Sequence, residues 1–120
     1  MILIHQTTGT TIDICYGYEK YKKVMRSKYG IADSLDSDGT CTILSKKDEP
    51  LSIVIGVRKV DNIHSLKGML VHELNHAVTA IMDKYEFSCD EFRSYTLQWL
   101  YQETMSWLDN KLYVKEINDR

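Results

Sequence analysis

The residues best suited to do chemistry form the run His72-Glu73-Leu74-Asn75-His76. On a helix, side chains four positions apart lie one above the other, so the two imidazoles can bind one metal ion together. Zinc (Zn2+) suits this set, because imidazole binds it well and the ion needs no redox role. The glutamate between the histidines can take a proton from a metal-bound water, which is the chemistry of metal-assisted hydrolysis.

The surrounding pattern separates the two histidines from the core face of their helix. The predicted apolar stripe lies on the opposite side of the helix and comprises Leu66, Leu70, Leu74 and Ile81. A simpler interpretation, two solvent-facing histidines on an amphipathic helix, stays open at this point.

A catalytic zinc site needs a third protein ligand and one open coordination position. Glu91 is the first candidate, because its distance from His76 along the chain leaves room for a helix end, a turn and an antiparallel return. Glu91 also fits a capping box that begins at Ser88, in which it would only satisfy the helix start. The other candidates, with Asp90 first among them, are Asp90, Glu86, Asp83 and Cys89.

Tyr95 is a second candidate for catalysis, because it follows Glu91 by one helical turn. It could hydrogen-bond a developing oxyanion or orient a ligand, whereas the alternative is a tyrosine that packs between helices. Gln98 and Gln102 continue the same polar face. Such a stripe is typical of a helix that lines a wet cleft, although a solvated face would look similar.

Composition and charge exclude several classes of protein. The chain has 120 residues, a 43% apolar fraction and a net charge of −2, which is ordinary for one globular domain. The balance of charge argues against a general nucleic-acid binder, and we expect no nucleic-acid partner. Five basic residues within 20–28 are interpreted as a solvated helix face. Three widely spaced cysteines indicate reduced thiols.

The periodicity predicts an α+β fold, since strands precede a pair of long helices. The predicted strands are 2–5, 11–16, 40–45 and 51–58, and the predicted helices are 18–29, 64–84 and 89–108. A turn is predicted at 33–39. A single domain over 1–120 would comprise a β-rich half (1–63), a two-helix half with the metal site (64–110) and a short tail (111–120) that is frayed or a strand.

The sequence shows no apolar run long enough for a membrane span and no signal peptide at its start. We therefore expect a cytoplasmic location and no membrane partner.

Two segments carry a resemblance to a known family. Residues 68–77 read G-x-L-V-H-E-x-x-H-A and residues 91–95 read E-x-x-[AS]-Y, so the chain resembles small gluzincin-like zincins, and more narrowly the short HExxH proteins of phages and prophages. The resemblance covers about a third of the chain, residues 68–108. It implies a minimal zincin-like fold with a small N-terminal antiparallel sheet, an active-site helix and a following glutamate-bearing helix.

The resemblance also implies a function. Zinc would be bound by His72, His76 and Glu91, Glu73 would act as general base, and the substrate would be a peptide or protein in the bacterial host cytoplasm. The strand 51–58 would border the cleft and pair with the substrate backbone.

Two other functions stay open on the sequence alone. The first is a non-catalytic zinc-binding protein that engages a phage or host partner, with Asp90 or Cys89 as a fourth ligand that seals the site. The second is a helical interaction module without metal. The sequence does not indicate an oligomeric state.

Overall fold

A mixed sheet lies between one helix on its first face and two helices on its second. The computed structural model describes residues 1–33 and 37–118. Over these residues the elements in chain order are β1 (Ile2–His5), β2 (Thr10–Tyr16), α1 (Tyr18–Tyr29), β3 (Gly39–Leu44), β4 (Ser52–Val57), α2 (Ile63–Lys84) and α3 (Asp90–Asn118). The predicted α+β class is confirmed.

The strands are arranged in the order β1-β2-β4-β3. β1 pairs antiparallel with β2, and β3 pairs antiparallel with β4, but β2 and β4 run parallel. The expectation of an antiparallel sheet is therefore wrong for the central pair. The reason is that α1 and β3 together form the long crossover that parallel neighbours require, and they return the chain to the same end of the sheet.

Both central strands are buried on both faces, because alternate side chains point to opposite sides. On the first face, Cys15 and Val54 pack against α1. On the second face, the side chains that contact α2 and α3 include Ile12, Ile14, Ile53, Ile55 and Val57.

α2 has the amphipathic character that its sequence predicts. The side chain of Asn62 caps its start by accepting hydrogen bonds from the backbone N–H groups of His64 and Ser65, at 2.9 and 3.1 Å. The predicted core stripe is fully buried and comprises Leu66, Leu70, Leu74, Ala77 and Ile81. The opposite side of α2 is consequently left for polar residues.

α3 is longer than predicted. It continues to Asn118, so residues 111–118 are helical rather than a frayed tail or a strand. No glycine or proline interrupts residues 90–118, and nothing in the sequence therefore ends the helix near position 108. The last two residues of the predicted tail, and residues 34–36 of the predicted turn, lie outside the described residues. Among the described residues, no helix combines the length and apolar character needed to cross a membrane.

The hydroxyl of Tyr21 ties α1 to the sheet. This side chain is fully buried, its hydroxyl donates to Asp33 Oδ2 at 2.5 Å, and it lies 2.8 Å from Thr42 Oγ1. Burial, followed by the hydrogen bond to Asp33, raises the pKa of Tyr21 to about 12.

This raised pKa predicts a loss of stability at alkaline pH. Between the unfolded value of 10.0 and the folded value of about 12, the folded state retains a proton that the unfolded state releases. The stabilisation is therefore complete below pH 10 and is lost as the pH rises through 12. We expect Tyr21→Phe to cost about 1 kcal/mol at pH 7 and to lose less stability than wild type between pH 10 and 12.

Urea unfolding at pH 7, 10 and 11 measures both effects. Tyr101→Phe is the control, because Tyr101 is 43% exposed. The same alkaline loss of stability in wild type and Tyr21→Phe would contradict the assignment.

Candidate metal centre

His72 and His76 lie side by side on the exposed face of α2. Their Nε2 atoms are 3.2 Å apart, and their rings meet edge to face with centroids separated by 4.8 Å. His72 is well exposed, with 69% of its side chain accessible. The same-face arrangement predicted from the spacing is thus present, and both histidines are exposed.

The separation of the two nitrogens fits two ligands of one zinc ion. Tetrahedral zinc bound at 2.0–2.1 Å holds neighbouring nitrogens about 3.3 Å apart. Without a metal, the observed contact is a hydrogen bond between one protonated and one unprotonated ring nitrogen. The pair can therefore supply two of the three protein ligands that a catalytic zinc ion requires.

Glu73 lies beneath the histidine pair and is 7% exposed. Its Oε1 is 4.0 Å from His72 Nε2, and its side chain packs against β3, where a Cβ on Gly39 would lie 3.3 Å from Glu73 Cγ. Burial raises the pKa of Glu73, while His72 and His76 act in the opposite direction. A raised pKa makes this carboxylate a stronger base than an exposed one, as proton abstraction requires.

A cleft of about 420 Å³ runs between α2 and β3. α2 contributes Glu73, His76 and Asp83 to its lining, and β3 contributes its first residues and Ile43. β3 lies at one edge of the sheet, whereas β4 has a partner on each side. The expectation that residues 51–58 pair with substrate is therefore wrong, because β4 has no free edge to offer. The strand that borders the cleft is β3.

Cys41 also lies in this cleft. Burial, followed by the charge of Glu73, raises the pKa of its thiol to about 12. The thiol is therefore protonated at neutral pH and is a poor metal ligand in this form.

The structure does not bring Glu91 together with the two histidines. Within residues 1–33 and 37–118, no third His, Cys, Asp or Glu completes a group able to hold a metal ion. Glu91 is exposed on α3, as are the other members of its polar face, Tyr95, Gln98 and Gln102.

Arg93 takes the place on α3 that faces α2. Its guanidinium donates to Asn75 Oδ1 at 2.6 Å and to Thr79 Oγ1 at 3.2 Å. Glu91 lies two positions earlier, which places it roughly 160° around the helix from Arg93. In the orientation of α3 that has these contacts, Glu91 is exposed. Sequence reasoning missed Arg93, because a single arginine on a helix carries no distinctive spacing.

The first turn of α3 differs from the predicted capping box. The carbonyl of Cys89 accepts from the N–H of Arg93 at 3.2 Å, so the helix is capped at Cys89 rather than at Ser88. The predicted capping box, which starts at Ser88 and ends at Glu91, is therefore wrong, because the N-cap residue lies one position later. Cys89 is exposed.

The remaining candidates have separate locations. Tyr95 is 67% exposed, so the alternative of a tyrosine packed between helices is wrong. Asp90 and Glu86 are exposed near the start of α3, while Asp83 lies in the cleft. None of these three carboxylates forms a group with His72 and His76 that could hold a metal ion.

Comparisons of the chain with protein-family models, curated proteins and solved structures find no match. The resemblance to zincins therefore depends on the motif residues of the sequence alone.

Proposed function

We propose that the chain is a zinc-dependent hydrolase of peptide bonds, of the metallopeptidase type. His72 and His76 bind the metal, and Glu73 is the general base. The observation that carries this proposal is the pair of Nε2 atoms 3.2 Å apart above a buried carboxylate. A solvated helix face would explain the two exposed histidines, but it would not explain why the carboxylate of Glu73 is buried next to them.

The roles of the residues follow from their positions. Bound zinc would supply an acidified water and polarise the substrate carbonyl. Glu73 takes the proton and transfers it to the leaving amine, a role favoured by its raised pKa. Packing against Gly39 restricts the Glu73 side chain to the cleft wall, which keeps the base next to the histidine pair.

The free edge of β3 is the proposed binding surface for an extended peptide. Backbone groups on the outer side of an edge strand can pair with an added strand, and side-chain pockets then give specificity. β3 borders the same cleft as Glu73 and His76, so a peptide bound along it would pass the base. The free thiols of all three cysteines agree with a reducing compartment such as the cytoplasm.

Glu91 remains the proposed third ligand, although it requires a rearrangement. Its side chain would reach the histidines only if the first turn of α3 rotated and Arg93 released Asn75 and Thr79. Zinc binding would supply the free energy for this change, because metal binding and folding are coupled.

Zinc stoichiometry by native mass spectrometry tests the metal site. We expect one zinc per chain in wild type and a loss of affinity of more than about 100-fold in His76→Ala, since loss of an outer-sphere partner alone costs 10–100-fold. His64→Ala is the matched control, because His64 is an exposed histidine in the first turn of the same helix.

Glu91→Ala measured in the same way tests the third ligand. A sharp loss of zinc would support Glu91, whereas unchanged zinc would move the third ligand elsewhere. An absence of zinc from wild type, even after zinc is supplied, would overturn the proposed enzyme.

A non-catalytic zinc-binding protein is the second candidate. The observation that favours it is that, among the described residues, no third His, Cys, Asp or Glu side chain joins His72 and His76. A partner protein could then supply a ligand in the complex. One bound zinc without an exchangeable water, together with no peptide hydrolysis, would favour this function over the enzyme.

A further inference from the structure

A second cavity, of about 660 Å³, lies where β2 and β4 end and α1 begins. It shares no lining residue with the cleft beside Glu73. The backbone N–H of Gly17 donates to the carbonyl of Val57 at 2.7 Å, which fixes the ends of the two parallel strands side by side. The volume is within the range of small-molecule sites, about 300–1,000 Å³.

The lining of this cavity is strongly cationic. The lining contains one acidic residue, Glu19, and five basic residues, which are Lys20, Lys23, Arg58, Lys59 and Lys111. The whole chain carries a net charge of −2, so positive charge is concentrated here. Such a concentration attracts anions and strengthens their binding.

Among the described residues, Arg58 is the only one of these five cations in an ion pair. Arg58 is 3.9 Å from Asp38, and both side chains are largely exposed, which makes the pair weak. Lys59 lies over the ring of Tyr16, at 5.6 Å from its centroid, and this contact involves no neutralising carboxylate. The cations are thus available to a ligand.

The backbone adds to this preference. Parallel strands place ligand sites outside their carboxyl ends, where the following helix presents its N-terminus. β2 and β4 are such a pair, and no side chain caps the start of α1 at Gly17. The helix N-terminus is a secondary contribution here, since the five cations define the site.

We propose that this cavity binds the phosphate groups of a small phosphorylated molecule of about mononucleotide size. The lysines and arginine bind the phosphates, and the rings of Tyr16 and Tyr18 in the lining offer a surface for the rest of the ligand. A small ligand is favoured over a nucleic acid, because the cations surround one concavity and the chain as a whole is acidic.

Isothermal titration at low salt with two probes, inorganic pyrophosphate and adenosine monophosphate, tests the proposal. Wild type is expected to bind at least one probe at submillimolar concentration. The double variant Lys20→Gln/Lys23→Gln is expected to bind it more than about tenfold more weakly. Lys46→Gln/Lys47→Gln is the matched control, because it makes the same substitutions at exposed positions between β3 and β4.

A third variant separates this site from the metal centre. His76→Ala is expected to bind pyrophosphate as tightly as wild type, which would show that bound zinc does not capture the anion. Equal binding by wild type and Lys20→Gln/Lys23→Gln, or no binding of either probe, would overturn the proposal. Binding of a single-stranded 20-nucleotide DNA without binding of either small probe would also overturn it, in favour of a nucleic-acid site.

Discussion

Replacing Glu73 with glutamine is expected to lower peptide hydrolysis by about 100- to 10,000-fold while zinc binding stays intact. Glutamine has nearly the size of glutamate, so it should keep the packing of the side chain against Gly39. It has no basic oxygen, however, and cannot take a proton from water. A neutral amide also avoids the cost of burying a carboxylate, so the melting temperature should not fall.

The measurement compares turnover of a quenched fluorescent peptide mixture with zinc stoichiometry of the same preparation. Glu103→Gln, at an exposed position on α3, is the control for loss of one negative charge. Hydrolysis by Glu73→Gln at the wild-type rate would remove Glu73 from the mechanism. Loss of zinc in this variant would instead make its carboxylate a ligand.

Replacing Gly56 with alanine is expected to destabilise the fold by about 3 kcal/mol. A Cβ at this position would lie 2.6 Å from Tyr21 Cδ2 and 2.7 Å from Tyr21 Cγ. The ring cannot move aside easily, because Tyr21 is fully buried and its hydroxyl is held by Asp33 and Thr42. Either β4 or α1 must therefore shift, which weakens the packing between α1 and the sheet.

Gly68→Ala is the matched control, since an added Cβ there meets nothing within 4 Å and Gly68 lies inside α2. It should stabilise the protein by about 0.5–1 kcal/mol, because alanine favours helix more than glycine does. Thermal unfolding checks both variants, with a fall of about 10 °C expected for Gly56→Ala. A melting temperature unchanged in Gly56→Ala would show that the contact with Tyr21 is easily relieved.

The sequence predicted the face of each element better than the position of one element against another. Periodicity identified the buried stripe of α2 and the shared face of His72 and His76, since both depend only on helical geometry. The strand bounds also agree within one residue. The parallel pairing of β2 with β4 was not predictable in this way, because alternation does not specify the neighbour of a strand.

The rotation of α3 about its own axis could not be predicted from periodicity. Polar residues at Glu91, Tyr95 and Gln98 suggested a face turned towards a cleft, but a solvated face has the same pattern. In the structure Arg93, rather than Glu91, contacts Asn75 and Thr79 of α2. These contacts join residues of two helices that sequence periodicity treats separately.

The position of β4 has a consequence for how the chain acquires its fold. β4 is the last of the four described strands but lies in the middle of the sheet, and Thr11 pairs with Ser52, 41 positions later. During synthesis, the β1–β2 hairpin and β3 therefore cannot join until β4 has left the ribosome. Such distant contacts slow folding and leave strand edges open to aggregation until the central strand docks.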